Sequence, residues 1–143
     1  MDQNVEDLSG RLIFIIDPVF FRGEHGEWEK KSNFDLVVRV PLLVHVPWKP
    51  ASQGQSTEAL VELVDVMPTV SRLAGLPLPA GVDGADVSAV FDAPAQPGPK
   101  TATYHQYPAC NVQSFNHTRD ACNNTPKNQF DYMGYSVRNN LFR

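Results

Sequence analysis

The residues best suited to chemistry follow the first apolar run of the sequence. Asp17 comes directly after "RLIFII" (11–16), and the loop "RGEHGEWEKK" (22–31) gathers acids, a histidine, two glycines and several basic side chains. A carboxylate at the carboxyl end of a buried strand can bind a hard divalent cation. Glycine-rich backbone can approach an anion and hold Lys30 over it. The spacing is therefore compatible with a site for a metal ion and an oxyanion.

The same residues also have a purely structural interpretation. Asp17 can cap a turn before Pro18, and the charged stretch behind it can be a solvated loop. A lone histidine such as His25 is more often part of a loop scaffold than a metal ligand, and His105 lies in a strand-like segment. On spacing alone, both interpretations stay open.

Two extended segments would have to position these residues. The continuous apolar run 11–16 is typical of a parallel strand that is buried on both faces. Pro41 interrupts "DLVVRVPLLVHVP" (35–47), so "LLVHV" predicts a second strand. In open α/β sheets, ligands collect at the carboxyl ends of the strands, where Asp17 stands. The expected fold class is therefore α/β.

A helix is predicted in the segment that ends at Gly75. Pro68 would cost about 3 kcal/mol in a helix interior but is tolerated in a first turn. We therefore expect a strand near 60–64, Asp65 as the N-cap, and a helix over 66–74. Gly75 suits the position just after such a helix.

The second half of the chain predicts a smaller subdomain. Loops rich in proline and glycine, "LPLPAGVDG" and "DAPAQPGPK", bracket a short apolar segment at 87–91. Beyond them, "TATYHQYP" and "MGYSVRNNLFR" predict two strands on either side of a cysteine-containing loop, the second continuing to the last residue. We place the boundary so that 1–93 belong to the α/β domain and 94–143 begin a β-containing subdomain with a Cys/Asn-rich loop.

The two cysteines, Cys110 and Cys122, lie in a polar, asparagine-rich loop. A zinc site needs about four ligands, and His117 alone does not complete the set. The loop also holds two N-glycosylation sequons, at Asn116 and Asn123, which matter only in a secretory compartment. A disulfide that closes the loop therefore explains the cysteines better than two free thiols on an exposed loop.

Composition and charge argue against two classes of partner. The 143 residues suit one compact domain, and a net charge of −4 with interspersed signs leaves no basic stripe for nucleic acid. No apolar stretch approaches the roughly 20 residues that span a bilayer. The start, "MDQNVEDLSG", has no signal-peptide pattern, which conflicts with an oxidising compartment. We therefore expect the chain to be a fragment of a longer, lysosomal or secreted protein.

The block "GEHGEWEKKSNFDLVVRVPLLVHVP" resembles the metal-binding end of the sulfatases in the alkaline phosphatase superfamily, particularly those that act on iduronate residues. The similarity continues in order through "LVELVDVMPTVSRLAGLPLP", "TYHQYP" and "MGYSVR". It implies the C-terminal portion of an alkaline-phosphatase-like α/β sandwich with a small β-containing subdomain. It also implies a calcium-dependent hydrolase that removes sulfate from heparan and dermatan sulfate with a formylglycine nucleophile made from cysteine.

Residue by residue, the resemblance assigns Asp17 as a calcium ligand and Lys30 as the lysine that contacts the sulfate. It assigns His25 to the scaffold of its loop. The family has Asp-His-Gly where this chain has Asp17-Pro18-Val19, so a histidine ligand is replaced by a residue without a donor atom.

Other parts of the family's active site are missing from the sequence. Neither cysteine stands in the Cys-x-Pro-Ser-Arg pattern that formylglycine formation requires, and the paired aspartates that supply other calcium ligands are absent. We interpret the chain as the C-terminal part of a sulfatase, from a truncated or mispredicted gene model or from a degenerate copy. Two alternatives stay open. One is a catalytically dead, secreted module that binds sulfated glycans, which Pro18 favours; the other is a phosphodiesterase of the same superfamily, because sulfate and phosphate esters are held alike.

Overall fold

The structure is a computed structural model that describes residues 12–15, 21–24, 28–29, 32–78, 80–110, 122 and 125–142. In this part of the chain the helices and strands are, in order, β1 (Leu12–Ile15), β2 (Phe21–Arg22), β3 (Trp28–Glu29), α1 (Asp35–Val38), β4 (Leu42–His45), α2 (Val66–Leu73), β5 (Ala102–Ala109) and β6 (Tyr132–Asn139). The strands pair as β1–β4, β2–β3 and β5–β6.

The chain divides into two compact units. The first contains β1, residues 42–103 and residues 139–142, and the second contains β2, β3, residues 32–41 and the described residues of 104–138. The predicted boundary between 93 and 94 concerns the domains of a longer protein, and it stays a prediction.

In the first unit, β1 pairs with β4 in an antiparallel ribbon. Leu12 lies opposite His45, and Ile15 lies opposite Leu42. The expectation of a parallel strand is therefore wrong for β1. A continuous apolar run indicates burial on both faces, but it carries no information about the direction of the neighbouring strand. The described residues thus combine helices with small antiparallel ribbons.

Helix α2 forms where the sequence predicts it, to within one residue. It begins at Val66 after Asp65, Pro68 lies in its first turn, and Ala74 is the C-cap. Gly75 follows with φ +67°, and its N–H donates to the carbonyl of Arg72 at 3.1 Å. A left-handed residue after a helix is most readily glycine, because a Cβ there clashes with the backbone.

Two other local expectations are corrected. The segment predicted as a strand near 60–64 contains a 3₁₀ turn at Leu63–Asp65. The residues "DLVV" form α1 rather than extended chain. In each case the run of apolar residues is too short to distinguish a helical turn from a strand.

The core of the first unit lies between α2 and the chain that follows it. Val46 and Val87 are buried, as is Pro68 at the start of the helix. The hydroxyl of Thr69, also buried, accepts a hydrogen bond from the N–H of Val87 at 3.0 Å. This bond satisfies a backbone donor that the loop would otherwise bury unpaired.

In the second unit, β5 and β6 form an antiparallel hairpin. The N–H of Asp131 donates to the carbonyl of Ala109 at 3.0 Å, whereas the carbonyl of Tyr107 lies beside Gly134. Both predicted strands therefore exist. The second ends at Asn139 rather than continuing, because the side-chain oxygen of Asn139 accepts the N–H groups of Leu141 and Phe142 in a turn.

The expected disulfide is present at the end of β5. Cys110 and Cys122 are bonded, with their Cα atoms 5.6 Å apart. It closes a segment of the chain between β5 and β6, and it leaves neither cysteine as a free thiol.

We expect this disulfide in material made through a secretory pathway. Non-reducing peptide mapping should recover Cys110 and Cys122 in one linked pair of peptides. Reduction should then lower the free energy of unfolding by about 3 kcal/mol, because the bond constrains the unfolded chain. Recovery of both cysteines as alkylated thiols from such material would contradict the prediction.

Candidate functional site

The residues that the sequence assigns to chemistry fall mostly outside the described part of the structure. Asp17 and Lys30 lie there, and so do the sequon residues Asn116 and Asn123 and the scaffold histidine His25. Their assignments stay predictions. The structure does describe the chain on either side of Lys30, at 28–29 and from Ser32 onward.

On the N-terminal side, Lys30 directly follows a paired strand. Phe21 lies opposite Glu29, and Arg22 lies opposite Trp28, so β2 and β3 form an antiparallel ribbon around the "GEHG" loop. Gly23 opens this loop with φ +112°, in a region of backbone conformation that favours glycine. The residue immediately before Lys30 is therefore held by strand pairing.

On the C-terminal side, a short segment is held by the β5–β6 hairpin. We call Ser32–Asn33–Phe34–Asp35 the anchored segment. The carboxylate of Asp35 accepts a hydrogen bond from the guanidinium of Arg138 at 2.6 Å, and Asn33 packs on Gly134. His105 makes a hydrogen bond to the backbone of Ser32. The hairpin thus contacts three of the four residues of the anchored segment.

Electrostatics in this part of the second unit favour neutral or paired groups. Burial lowers the pKa of His105 below its ordinary value, while the hydrogen bond to Ser32 opposes the shift. The downward shift favours the neutral form of the imidazole. Arg138 and Asp35 pair with side-chain exposures of 23% and 42%. The side-chain oxygen of Asn33 is buried and has no hydrogen-bond partner among the described residues.

The structure also contains a charged cluster that the sequence analysis missed. Asp65 is fully buried, and its carboxylate accepts the N–H groups of Glu62 and Ala85, each at 2.8 Å. The ammonium of Lys100 lies 2.8 Å from Asp65 and pairs with Glu62 as well. Burial lowers the pKa of Lys100, but hydrogen bonds and charge from the two acids outweigh it, and the net shift is upward.

This cluster supports the fold and does not resemble a catalytic or metal site. Each oxygen of Asp65 already accepts hydrogen bonds, and Lys100 neutralises charge beside it. The spacing of Glu62 and Asp65 is that of a reciprocal capping arrangement at a 3₁₀ turn. That pattern was the available signal in the sequence, but the partnership with Lys100 was not predictable from spacing.

A cavity of about 520 Å³ lies in the first unit, between β4, α2 and the loop before it. Its walls are about half aliphatic, and the polar lining comprises Thr69, His45, Asp65 and the serine, glutamine and threonine side chains of 52–57. The carboxylate of Asp65 is fully engaged in hydrogen bonds and an ion pair. Asp65 is therefore held by structural contacts and is not free to act as a base in the cavity.

The described residues contain no cluster of possible metal ligands. Across the described stretches, no three acid, histidine or cysteine side chains lie close enough to hold one ion. Asp17, which the resemblance assigns to calcium, lies outside these stretches, so the calcium assignment stays a prediction. In the same stretches, no helix is both long enough and apolar enough to cross a bilayer.

A family of known sulfatases matches the region around Lys30. The family described as "N-sulphoglucosamine sulphohydrolase, C-terminal" matches residues 23–136, which is most of the chain. This chain belongs to the sulfatase family. The match includes the "GEHGEWEKK" loop and the anchored segment, as well as the β5–β6 hairpin as far as Ser136. Asp17 precedes the matched region.

Individual sulfatases are also similar to this sulfatase chain. Mouse iduronate 2-sulfatase is 42% identical over 91 residues, covering 48% of this chain and 16% of the relative. The N-acetylglucosamine-6-O-sulfatase of Bacteroides thetaiotaomicron is 32% identical over 100 residues, covering 67% and 18%. Arylsulfatase K of Danio rerio is 35% identical over 107 residues, covering 72% and 20%. The chain thus spans a fifth or less of the length of these relatives.

Proposed function

We propose that this chain supplies the sulfate-holding C-terminal part of a sulfuric ester hydrolase that acts on glycosaminoglycans such as heparan or dermatan sulfate. The observation that carries the proposal is the family match over 23–136, which includes the "GEHGEWEKK" loop. The similarity to mouse and human iduronate 2-sulfatases, at 42% and 36% identity, supports iduronate 2-sulfate as the group removed.

Lys30 is the proposed contact to the sulfate. An ammonium is a compact point charge, and one that is already fixed in place can stabilise the charge that builds on sulfate oxygens in the transition state. The paired strand before Lys30 and the anchored segment after it support this role. They hold the chain at Glu29, before the lysine, and at Asp35, after it.

Exposed apolar side chains support the view that the chain is one part of a larger catalytic domain. Leu63, Val64 and Met67 are about half exposed around the start of α2, and so are Leu76 and Leu78 after its end. Large apolar side chains exposed in this way are consistent with a surface that another part of a protein covers. In a complete sulfatase, the remainder of the α/β domain would cover it.

Calcium would belong to the complete enzyme, where a bound divalent cation would supply a positive charge beside the sulfate. This chain would contribute Asp17 alone, because Pro18 has no donor atom. Calcium takes about six to eight oxygen ligands, so we expect no calcium binding by the chain itself. Isothermal titration calorimetry should detect no heat of binding at micromolar calcium. A micromolar dissociation constant would overturn this expectation.

The isolated chain should hydrolyse no sulfate ester. Sulfuryl transfer needs an activated nucleophile, and the cysteines are bonded to each other and lack the sequence context for formylglycine formation. An aryl sulfate incubated with pure recombinant chain should therefore release phenol at the uncatalysed rate. Measurable turnover that is proportional to the concentration of the chain would contradict the prediction.

The disulfide supports a lysosomal or secreted location, because such bonds persist in oxidising compartments.

A hybrid protein tests the proposed function. The N-terminal part of mouse iduronate 2-sulfatase is joined to this chain with Pro18→His, and desulfation of an iduronate 2-sulfate disaccharide is measured. Desulfation supports the proposal. Binding of the disaccharide without turnover would favour the glycan-binding module, and hydrolysis of a phosphate diester alone would favour the phosphodiesterase.

A further inference from the structure

We propose that the cavity of the first unit is a slot for an extended, uncharged peptide strand, which pairs with the free edge of β4 and comes from the rest of the sulfatase. The inference rests on the proposed function in one respect, because it takes the chain as one part of a larger catalytic domain. It adds the place at which the two parts join. The residues that carry it all lie within the first unit.

All four residues of β4, Leu42–His45, contribute to the wall of the cavity. Successive side chains of a strand point to opposite faces, so a cavity that touches four consecutive residues reaches both faces of the strand. The cavity therefore extends around an edge of β4. Because β1 pairs along one edge, the cavity lies along the other.

The free edge of β4 carries backbone groups that can accept another strand. In an antiparallel pair, alternate residues direct their N–H and C=O groups away from the neighbouring strand. Among the described residues, the backbone of β4 makes no hydrogen bond beyond its ladder with β1. The strand also lacks the lysine and proline that protect edges against pairing, since Pro41 and Pro47 lie outside it.

The apolar walls of the slot suit the side chains of an added strand. Val66, Val70 and Leu73 of α2 line the cavity, and their spacing places them on one face of the helix. Val90 and Phe91 line it as well. A strand beside β4 would pack its apolar side chains against these residues.

The loop 52–57 forms a polar wall, and hydrogen bonds tie it to the chain that leaves β4. The hydroxyl of Ser52 donates to the carbonyl of Lys49 at 2.8 Å, and the side-chain nitrogen of Gln53 donates to the carbonyl of Val46 at 2.9 Å. The slot is therefore bounded on the side of this loop.

The size and the charges of the slot fit a short, uncharged strand. Its volume is about 520 Å³, and a four-residue strand such as β4 is about 13 Å long. Asp65 is the one acid in the described lining, and its carboxylate already pairs with Lys100 and with two N–H groups. No carboxylate is left to pair with a charged occupant.

Two observations favour the rest of the sulfatase as the source of the strand. The chain covers 16% of mouse iduronate 2-sulfatase and 20% of arylsulfatase K of Danio rerio, so most of such a protein lies elsewhere. In a second copy of this chain, the free edge of β4 would itself lie inside a slot walled by α2 and the loop 52–57. Two copies therefore do not bring these edges together.

The first test titrates the ¹⁵N-labelled 143-residue chain with the blocked heptapeptide Ser-Thr-Val-Thr-Ile-Val-Ser and follows the backbone amides by NMR. We expect saturable shifts at the amides of β4 and of the loop 52–57. The same peptide with every backbone nitrogen methylated keeps its side chains but has no N–H donors. It should bind about 10-fold to 30-fold more weakly, because it loses its hydrogen bonds to the strand edge.

A pair of matched variants locates the peptide. Leu43 lines the cavity and is 52% exposed, whereas Leu76 is 59% exposed and does not line it. Leu43→Lys should weaken peptide binding about 10-fold, because the added charge would be desolvated in the slot. Leu76→Lys should bind as the unmodified chain does. Equal affinities for these two variants, or for the two peptides, would overturn the slot, and so would an absence of binding.

The second test asks where the strand comes from. In the hybrid of the N-terminal part of mouse iduronate 2-sulfatase with this chain, hydrogen exchange at the β4 amides directed away from β1 should slow about 100-fold relative to the chain alone. The hybrid should also no longer bind the peptide. Fast exchange in a folded hybrid that still binds the peptide would overturn the assignment to the rest of the sulfatase. Protection of β4 that appears only when the chain dimerises would assign the edge to a second copy instead.

These outcomes are distinguishable from failure of the proposed function, because neither test measures desulfation. The peptide titration uses the chain alone, so it decides the existence of the slot even if the hybrid does not fold. A hybrid that protects β4 and desulfates nothing would overturn the proposed function alone.

Discussion

Replacing Lys30 with alanine should lower the turnover number about 100-fold to 1,000-fold in a complete sulfatase that carries this chain with Pro18→His. That loss is typical when one preorganised donor to a developing negative charge is removed. The effect should appear in the turnover number rather than in the Michaelis constant, because the ammonium interacts most strongly when charge builds on the leaving sulfate. Steady-state kinetics with an iduronate 2-sulfate disaccharide would measure both quantities.

Lys31 supplies the matched control, since it has the same charge and is one residue away. In an extended chain, neighbouring side chains point in opposite directions. If the backbone directs Lys30 towards the sulfate, Lys31→Ala should change the turnover number less than about 2-fold, as expected for a solvated surface charge. Equal kinetics for the two variants would remove the basis for assigning Lys30 to the sulfate.

Replacing Asp65 with alanine should lower the free energy of unfolding by about 3 to 5 kcal/mol, the typical cost of removing one partner of a buried ion pair. The substitution leaves the N–H groups of Glu62 and Ala85 without their acceptor. It also leaves Lys100, whose side chain is 17% exposed, with Glu62 as its remaining partner in the cluster. Urea denaturation of the purified chain would measure the loss.

A surface ion pair in the same unit gives the comparison. Lys49 and Asp92 lie 2.7 Å apart with side-chain exposures of 26% and 62%, so Asp92→Ala should cost less than about 1 kcal/mol. Similar urea midpoints for Asp65→Ala and Asp92→Ala would refute a structural role for the buried cluster.

The raised pKa of Lys100 sets the pH range of the experiment. Its stabilising contribution is complete below the unfolded-state pKa of about 10.4 and is lost as the pH rises through the higher folded-state pKa, so measurements near pH 7 sample it fully.

Local sequence signals predicted α2, β4, β5 and β6, but not α1, β2 or β3. Pro68 and Gly75 located both ends of α2, because each residue suits one position near a helix terminus and few others. The strands on either side of the cysteine loop followed from their turn-bounded, β-rich composition. The direction of β1 was not predictable, because an apolar run does not specify which strand lies beside it.

The candidate site was predictable only in part. The composition of the "GEHGEWEKK" loop and its resemblance to sulfatases indicated Lys30 as the residue of interest. The contacts that hold the anchored segment could not be predicted from the sequence, because Asn33 touches Gly134 and Asp35 pairs with Arg138 across about a hundred residues of sequence. Asp65 was correctly placed before α2, but its side chain makes no capping hydrogen bond to that helix. The carboxylate accepts hydrogen bonds from the N–H groups of Glu62 and Ala85, and it pairs with Lys100.

The separation of 103 residues between Asp35 and Arg138 has a consequence for biosynthesis. Translation proceeds at about 5 to 20 residues per second, so Asp35 is synthesised about 5 to 20 seconds before Arg138. During that interval Asp35 has neither the hairpin nor its ion pair. Contacts of such long range form late and slowly. A nascent chain that is released before residue 138 would keep Asp35 and every residue of the lysine loop and still lack this ion pair.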